Sequence, residues 1–254
     1  MPATVDTQEL ETKVKEMYRH VAEQPEGDYH FELGRPLAER LGYPPGALDR
    51  IPDAAIESFA GVGYFFDLAN LAEGESVVDL GSGSGMDVFF AAQQVGANGW
   101  VVGMDFTTEQ LAKARRLAEE AGILGVDFRE GRIEKLPVDD ESFDCVISNG
   151  VINLAPEKER VFAEAARVLR PGGRLAIADI VSDQQLKESI VCDADLWASC
   201  IGGAAQQDAY RQAIERAGLH IQEIRQNPYK FISERARDAS AKYGVKSISL
   251  MATK

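Results

Sequence analysis

The sequence has few cysteines and no long apolar run. Its three cysteines, Cys145, Cys192 and Cys200, lack a C-x-x-C spacing, so we expect neither a disulfide framework nor a metal site. No apolar run reaches the roughly 20 residues that cross a bilayer, and the first ten residues contain no basic segment followed by an apolar one. We therefore expect a cytoplasmic protein that has free thiols and does not engage a membrane.

Basic residues are also scarce relative to acidic ones. The chain has 27 Lys and Arg against 41 Asp and Glu, which gives a net charge of -14 and a pI of about 4.7. Such a charge repels a phosphate backbone, so we do not expect a nucleic-acid partner. With 254 residues and 45% hydrophobic content, the chain is long enough to bury a full core. The sequence leaves the oligomeric state open.

Short apolar runs alternate with helical periodicity along most of the chain. Strands are predicted at residues 77–80, 100–104, 126–129, 143–149, 174–181, 219–224 and 247–251. Helices are predicted after Gly85, after Thr107, and over residues 157–169 and 209–217. Thr107 and Gln110 fit a capping box at the start of the second of these helices. The pattern predicts an α/β fold with seven strands.

The first 70 residues depart from this alternation. A helix is predicted over residues 8–20, and an irregular segment over residues 29–67, where Pro44-Pro45-Gly46 disfavours a regular element. We predict a helical and irregular cap at residues 1–70, a ligand-binding domain at residues 71–254, and a cap insertion at residues 182–207. The aromatic cluster Tyr64-Phe65-Phe66 has two interpretations, a wall of a ligand pocket or core packing.

The first predicted strand leads into a glycine-rich loop. Asp79 is followed by Gly81, Gly83 and Gly85, and Asp105 lies 20 residues beyond Gly85 (105 minus 85). A carboxylate at this offset can hold a ribose diol in a βαβ unit. A dinucleotide-binding loop would need Gly or Ala where Met86 stands. The spacing therefore favours a nucleoside ligand that has no pyrophosphate.

Further segments give this pattern a family resemblance. Residues 79–85, Asp105, residues 136–144 and residues 167–173 resemble successive motifs of class I S-adenosylmethionine-dependent methyltransferases, and residues 147–154, 158–162 and 200–204 are similar to arsenite methyltransferases. The resemblance covers about residues 70–253. It implies a Rossmann-like, mostly parallel sheet in the order 3-2-1-4-5-7-6 with the seventh strand antiparallel. It also implies S-adenosylmethionine as cofactor and a small-molecule acceptor.

The resemblance also implies roles for individual cofactor-binding residues. The loop around the methionine end would comprise Asp79, Gly81, Ser82, Gly83 and Gly85, and Asn149 would face the transferable methyl group. Asp105 would hold the ribose, Phe106 would flank the adenine, and Ile133 and Glu134 would contact the adenine edge. Tyr18 resembles a tyrosine that closes over the cofactor, and packing on its own helix is an equal alternative.

On the acceptor side the chain departs from the arsenite methyltransferases. These enzymes hold trivalent arsenic with thiolates, which are soft ligands. The position after the fourth-strand Asn, where they carry one such cysteine, is Gly150, whereas Cys200 is kept. We accordingly expect inorganic arsenite to be a poor methyl acceptor. We expect the substitution Gly150→Cys to raise the methylation activity toward arsenite. Cys200 has a packing role as its alternative.

His30 is the one candidate general base, needed only for an oxygen or nitrogen acceptor, and a packing or surface role is its alternative. No catalytic residue is assigned beyond the candidates Cys200 and His30. The resulting function hypothesis is in-line methyl transfer to a small molecule, of the arsenite-methyltransferase type. A carbon- or oxygen-methyltransferase of the quinone or sterol type is the second hypothesis, and a catalytically idle cofactor-binding module is the third.

Overall fold

A computed structural model describes residues 6–193, 196–197 and 201–254. Within these ranges the helices are α1 (Thr7–Glu23), α2 (Gly34–Leu41), α3 (Pro45–Leu48), α4 (Asp53–Glu57), α5 (Phe66–Ala69), α6 (Met86–Val95), α7 (Thr108–Glu120), α8 (Lys158–Val168), α9 (Glu188–Val191), α10 (Gln207–Arg216) and α11 (Glu234–Tyr243), with a 3-10 turn at Ile152–Leu154. The strands are β1 (Ser76–Leu80), β2 (Trp100–Asp105), β3 (Val126–Glu130), β4 (Phe143–Asn149), β5 (Leu169–Ser182), β6 (Ala205–Gln206), β7 (His220–Gln226) and β8 (Lys246–Thr253).

The strands form one sheet in the order β3-β2-β1-β4-β5-β8-β7, and β6 pairs with β5. Strand β8 is antiparallel to both of its neighbours. When the seven longer strands are numbered consecutively, this is the order 3-2-1-4-5-7-6 that the family resemblance implies. The prediction of seven strands misses the two-residue β6, which lies inside the predicted insertion 182–207 and is too short to give an alternating pattern.

Helices cover both faces of the sheet, and each face has its own hydrophobic core. Successive residues of a strand point to opposite faces, so Val77 belongs to the core under α6 and α7, whereas Val78 belongs to the core under α8 and α10. Burial on both sides explains why these strands are continuous apolar runs. The carboxyl ends of the parallel strands are left free for the loops that form the site.

The cap packs into the same core as α6 and α7. Leu10, Leu37 and Ile56 from the cap are buried in one cluster with Phe89 and Leu111. The expectation of an irregular segment between residues 29 and 67 was wrong, because three short helices, α2 to α4, lie within it and α5 begins at its end. Pro45 does not prevent α3, since proline is tolerated in the first turn of a helix.

The aromatic cluster before β1 serves core packing. Phe65 and Phe66 are buried and stack with ring centroids 4.8 Å apart, and Phe66 lies 4.5 Å from Phe90 of α6. Tyr43 packs edge-on against Tyr64 at 5.0 Å. The interpretation of this cluster as a pocket wall is therefore wrong.

No helix in the described part of the chain is both long enough and apolar enough to span a membrane.

Candidate active site

A cavity of about 840 Å³ lies at the carboxyl ends of β1, β2 and β4, beneath α1. This volume is at the upper end of the range for small-molecule sites. The sheet contributes the loop after β1, the end of β2 and the end of β4, and the cap contributes one side of α1 and residues 58–61. Of the sequence-predicted residues, the cavity is lined by Tyr18, Asp79, Gly81, Ser82, Gly83, Asp105, Phe106, Ile133, Glu134 and Asn149.

The loop after β1 is held in a tight turn against β2. The N–H groups of Gly81 and Ser82 both donate to the carbonyl oxygen of Met104, at 2.7 and 2.9 Å. Gly81 has φ +76°, and a Cβ there would lie 2.4 Å from Val151 Cγ2. Only glycine satisfies both conditions. Gly85, the remaining glycine of the predicted motif, is the N-cap of α6 and does not line the cavity.

Asp105 joins the end of β2 to this loop. Its Oδ2 accepts from the N–H of Gly83 at 2.9 Å, and its Oδ1 accepts from the N–H of Thr107 at 2.8 Å. Burial raises the pKa of Asp105, while these backbone donors lower it. Each carboxylate oxygen has a further lone pair, so Asp105 can still accept a hydrogen bond from a ligand hydroxyl.

Two further buried carboxylates lie in the same cavity. Burial holds the pKa of Asp79 well above its usual value, and the nearby carboxylates of Asp87 and Asp105 raise it further. Burial also raises the pKa of Asp87, to about 6, although hydrogen bonds from Tyr43 and Asn149 oppose this shift. Among the described residues no cation pairs with Asp79 or Asp87. The inner cavity therefore favours a cationic ligand over an anionic one.

Asp87 and Asn149 form a hydrogen-bonded network with the cap. The hydroxyl of Tyr43 donates to Asp87 Oδ1 at 2.6 Å, and Asn149 Nδ2 donates to Asp87 Oδ2 at 3.0 Å. Asn149 Oδ1 accepts from the N–H of Val62 at 2.8 Å. Asn149 thus lines the cavity with its amide already bonded to the protein, and it fixes the residues around Val62 beside the end of β4.

Gln110 connects the glycine loop to the cap. Its Oε1 accepts from Ser84 Oγ at 2.5 Å, and its Nε2 donates to the carbonyl oxygen of Tyr18 at 2.8 Å. Thr107 is the N-cap of α7 but makes no side-chain capping bond. The predicted capping box is therefore wrong, because Gln110 bonds to Ser84 and Tyr18 and the N–H of Thr107 donates to Asp105 instead. The ring of Tyr18 lies 6.2 Å from that of Phe31.

The predicted adenine side lies at the ends of β2 and β3. Phe106 follows Asp105 directly, and Lys15 Nζ lies 5.1 Å above its ring. Ile133 is buried, and Glu134 is half-buried beside it. Arg132, which stands where the wider family commonly has Asp, forms an ion pair with Glu11 of α1. This ion pair links α1 to the loop after β3.

The remaining wall of the cavity is mostly apolar. Its lining includes Phe59, Val151, Leu154, Val191 and Trp197. The indole N–H of Trp197 donates to the carbonyl oxygen of Val191 at 2.5 Å, and Lys158 Nζ lies 4.8 Å above the indole ring. Val191 and Trp197, which fall in the predicted insertion 182–207, therefore supply part of this wall.

Several candidates do not reach the cavity. His30 does not line it and packs edge-on against Phe31 at 4.9 Å, so the structure does not support it as a general base. Cys145 is buried in β4, where burial raises its pKa to about 12. Cys192 and Gly150 are also absent from the lining. Cys200 lies outside the described residues. Asp87, Gln110 and Tyr43 are functional candidates that sequence reasoning missed.

Comparison with known proteins identifies the fold that carries this site. A family model described as "Methyltransferase domain" matches residues 71–218. The crystal structure of an arsenic(III) S-adenosylmethionine methyltransferase from Chlamydomonas reinhardtii superposes with a TM-score of 0.64 at 31% identity, covering 87% of this chain and 74% of that one. The chain belongs to the class I S-adenosylmethionine-dependent methyltransferases.

Within this family the chain resembles arsenite methyltransferases. The arsenite methyltransferase of Halobacterium salinarum is 43% identical over 199 residues, which is 78% of this chain and 51% of that protein. The methyltransferase GfsG of Streptomyces halstedii is 33% identical over 211 residues, which is 78% of this chain and 73% of that one. The chain thus spans about half the length of the curated arsenite methyltransferases that it matches first.

Proposed function

We propose that this chain binds S-adenosylmethionine in the cavity and transfers its methyl group in line to a small-molecule acceptor. The proposal is supported by one observation: the glycine loop, the carboxylate of Asp105, and two buried acids without a described cationic partner, Asp79 and Asp87, all lie at one cavity. The residues fit this cofactor, because its ammonium and sulfonium groups are cations that would offset the buried charge of Asp79 and Asp87. Asp105 and the backbone of the glycine loop would hold the nucleoside.

When bound, S-adenosylmethionine supplies a methyl group on a sulfonium, which a nucleophile can displace without protonation of the leaving group. The chain's own contribution would be alignment and exclusion of water. Helix α1 covers one side of the cavity, fixed by Gln110 and by the ion pair between Arg132 and Glu11. Asn149 and Asp87 fix the end of the cavity beside β4.

Two acceptor classes remain as candidates. The similarity to arsenite methyltransferases favours a trivalent arsenical. Among the described residues that line the cavity, none is a cysteine, and the acceptor side is walled by Phe59, Leu154 and Trp197. This wall favours an apolar small molecule that is methylated on carbon or oxygen. It equally favours an already methylated arsenical, which needs fewer protein thiolates. Turnover of a panel containing arsenite, methylarsonous acid and quinols separates these acceptors.

Cofactor binding is tested first, with Asp105→Ala. Loss of a charge-assisted hydrogen bond costs about 1.5–3 kcal/mol, so the affinity for S-adenosylmethionine measured by calorimetry should fall roughly 10- to 100-fold. Asp127→Ala on the neighbouring β3, whose carboxylate pairs with Arg129 outside the cavity, should leave the affinity unchanged. Equal affinities of wild type and Asp105→Ala would exclude the ribose role of Asp105.

A further inference from the structure

The cavity concentrates more carboxylates than its described partners neutralise. Asp79, Asp87 and Asp105 are 2%, 5% and 8% exposed, and all three line the cavity or its glycine loop. Asp105 accepts two backbone hydrogen bonds, and Asp87 accepts one from Tyr43 and one from Asn149. No described donor lies within hydrogen-bond distance of the Asp79 carboxylate. Asp79 is thus a buried acid without compensation.

The groups facing Asp87 come from several elements. They are the Tyr43 hydroxyl after α2, the Tyr64 hydroxyl of the cap, the Asn149 amide of β4 and the carboxylate of Asp79 in β1, which itself also faces Asp105 at the end of β2. None of them is a cation. Two neighbouring buried carboxylates resist simultaneous ionisation, so burial and the proximity of Asp79 and Asp87 favour retention of a proton by the pair.

We propose that the Asp79–Asp87 pair distinguishes S-adenosylmethionine from its demethylated product, because binding of the sulfonium releases more protons from this pair than binding of the thioether. The inference rests on the proposed function. The two ligands share the same ammonium, carboxylate and nucleoside and differ by one methyl group and one positive charge. A fixed positive charge in a buried cavity favours the ionised carboxylates, whereas a neutral sulfur atom does not.

This linkage gives the affinities a directional dependence on pH. The form that binds the sulfonium best has both acids ionised, and this form becomes more populated as the pH rises. The affinity for S-adenosylmethionine relative to S-adenosylhomocysteine should therefore increase with pH, by up to about tenfold per pH unit while the pair still holds its proton. Loss of the charge during turnover would then weaken the hold on the product.

Calorimetric titration in two buffers of different ionisation enthalpy, such as phosphate and imidazole, measures the protons released. At pH 6.5 both free ligands carry a protonated amino group, since that group titrates at roughly 7.7–8.0. Wild type should release about half a proton or more in excess with S-adenosylmethionine compared with S-adenosylhomocysteine. Equal proton counts for two ligands that both bind would overturn the inference alone. Failure of both ligands to bind would overturn the proposed function.

A matched control variant exists elsewhere in the chain. Asp179 of β5 is also a buried acid whose pKa burial raises to about 6, and Tyr210 donates to it at 2.6 Å, yet Asp179 does not line the cavity. Asp87→Asn should reduce the proton difference and the preference for S-adenosylmethionine, and Asp179→Asn should change neither. A similar effect of both variants would show that Asp87 acts only on stability. If Asp87→Asn does not fold, the affinity ratio of wild type from pH 5.5 to 7.0 decides: a flat ratio refutes the proposal.

Discussion

Gly150 shows how a single backbone conformation limits what can be placed beside the cavity. Its φ is +72°, and a Cβ there would lie 3.1 Å from Val62 Cγ1. The neighbouring Asn149 holds the N–H of Val62, so Val62 cannot easily move away. A thiol introduced at position 150 would therefore contact Val62 before it could bind an acceptor. Contrary to the expectation from the sequence, Gly150→Cys alone should not improve arsenite methylation.

Gly150→Ala should destabilise the protein by more than Gly172→Ala. Both positions have left-handed backbones, which cost an alanine about 1–2 kcal/mol, but a Cβ at Gly172 meets nothing within 4 Å. The additional contact with Val62 should appear as a lower urea midpoint for Gly150→Ala. Equal midpoints for the two variants would show that Val62 adjusts without cost.

The residues that sequence reasoning found and missed in the site differ in how they reach it. Asp79 and Asp105 lie in the last two residues of β1 and β2, so the strand pattern places them at the carboxyl ends of the parallel strands. Asp87 follows the glycine loop on α6, where a single acid looks like an ordinary first-turn residue. Tyr43 reaches Asp87 across 44 residues of sequence. Such a contact depends on the packing of the cap, which no local pattern encodes.

At the scale of elements, local sequence patterns again predict some features, whereas those that depend on tertiary contacts are missed. Strand β4 has the predicted bounds, because Glu141 and Ser142 precede it and its apolar residues give way to Ser148 and Asn149 at its end. Helix α11 was missed, since its buried face consists of Ala236, Ala239 and Tyr243 and gives a weak stripe. The capping box failed at Gln110 because a tertiary contact with α1 replaced the local one.

Helix α1 should loosen when its attachment to α7 is removed. Gln110 Nε2 bonds to the carbonyl oxygen of Tyr18, and Lys113 Nζ bonds to that of Ala22, so two α7 side chains hold the last turns of α1. In Gln110→Ala, amide hydrogen exchange of residues 7–23 should accelerate, by about tenfold for a loss near 1.4 kcal/mol. Exchange in β4 should stay constant, and Glu119→Ala, at an exposed position of the same helix, is the control. Unchanged exchange in α1 would assign its position to apolar packing alone.

At the scale of the whole molecule, buried acids set how stability depends on pH. The pKa of Asp87 and of Asp179 is raised from 3.8 to about 6 in the folded protein. The folded state therefore binds more protons than the unfolded state between pH 3.8 and about 6, and stability falls as the pH rises through this window. Hydrogen bonds from Arg225 and Arg167 lower the pKa of Asp67 and of Glu164, so their stabilisation is lost as the pH falls through their folded values.

The two groups of acids together predict maximum stability on the acidic side of neutrality, between about pH 4.5 and 6. The melting temperature should rise by roughly 5 °C from pH 8 to pH 5.5. Asp179→Asn should flatten this rise without altering the fall at lower pH. A melting temperature that peaks above pH 7 would mean that burial does not raise these pKa values as described.

The net charge of -14 leads to a separate expectation about partners. No DNA or RNA probe should shift in a mobility assay at moderate salt, because few counterions can be released from the nucleic acid. A submicromolar shift that weakens with salt would contradict this expectation.

The position of β8 in the sheet has a consequence for synthesis. This strand, which follows all the others in sequence, pairs along its length with β5 on one side and β7 on the other. While the chain emerges from the ribosome, β5 keeps an open hydrogen-bonding edge and β7 has no neighbour until the residues near 246–253 appear. The incomplete sheet therefore exposes an unpaired strand edge that can pair with another chain, and the sheet is completed only when β8 inserts between β5 and β7.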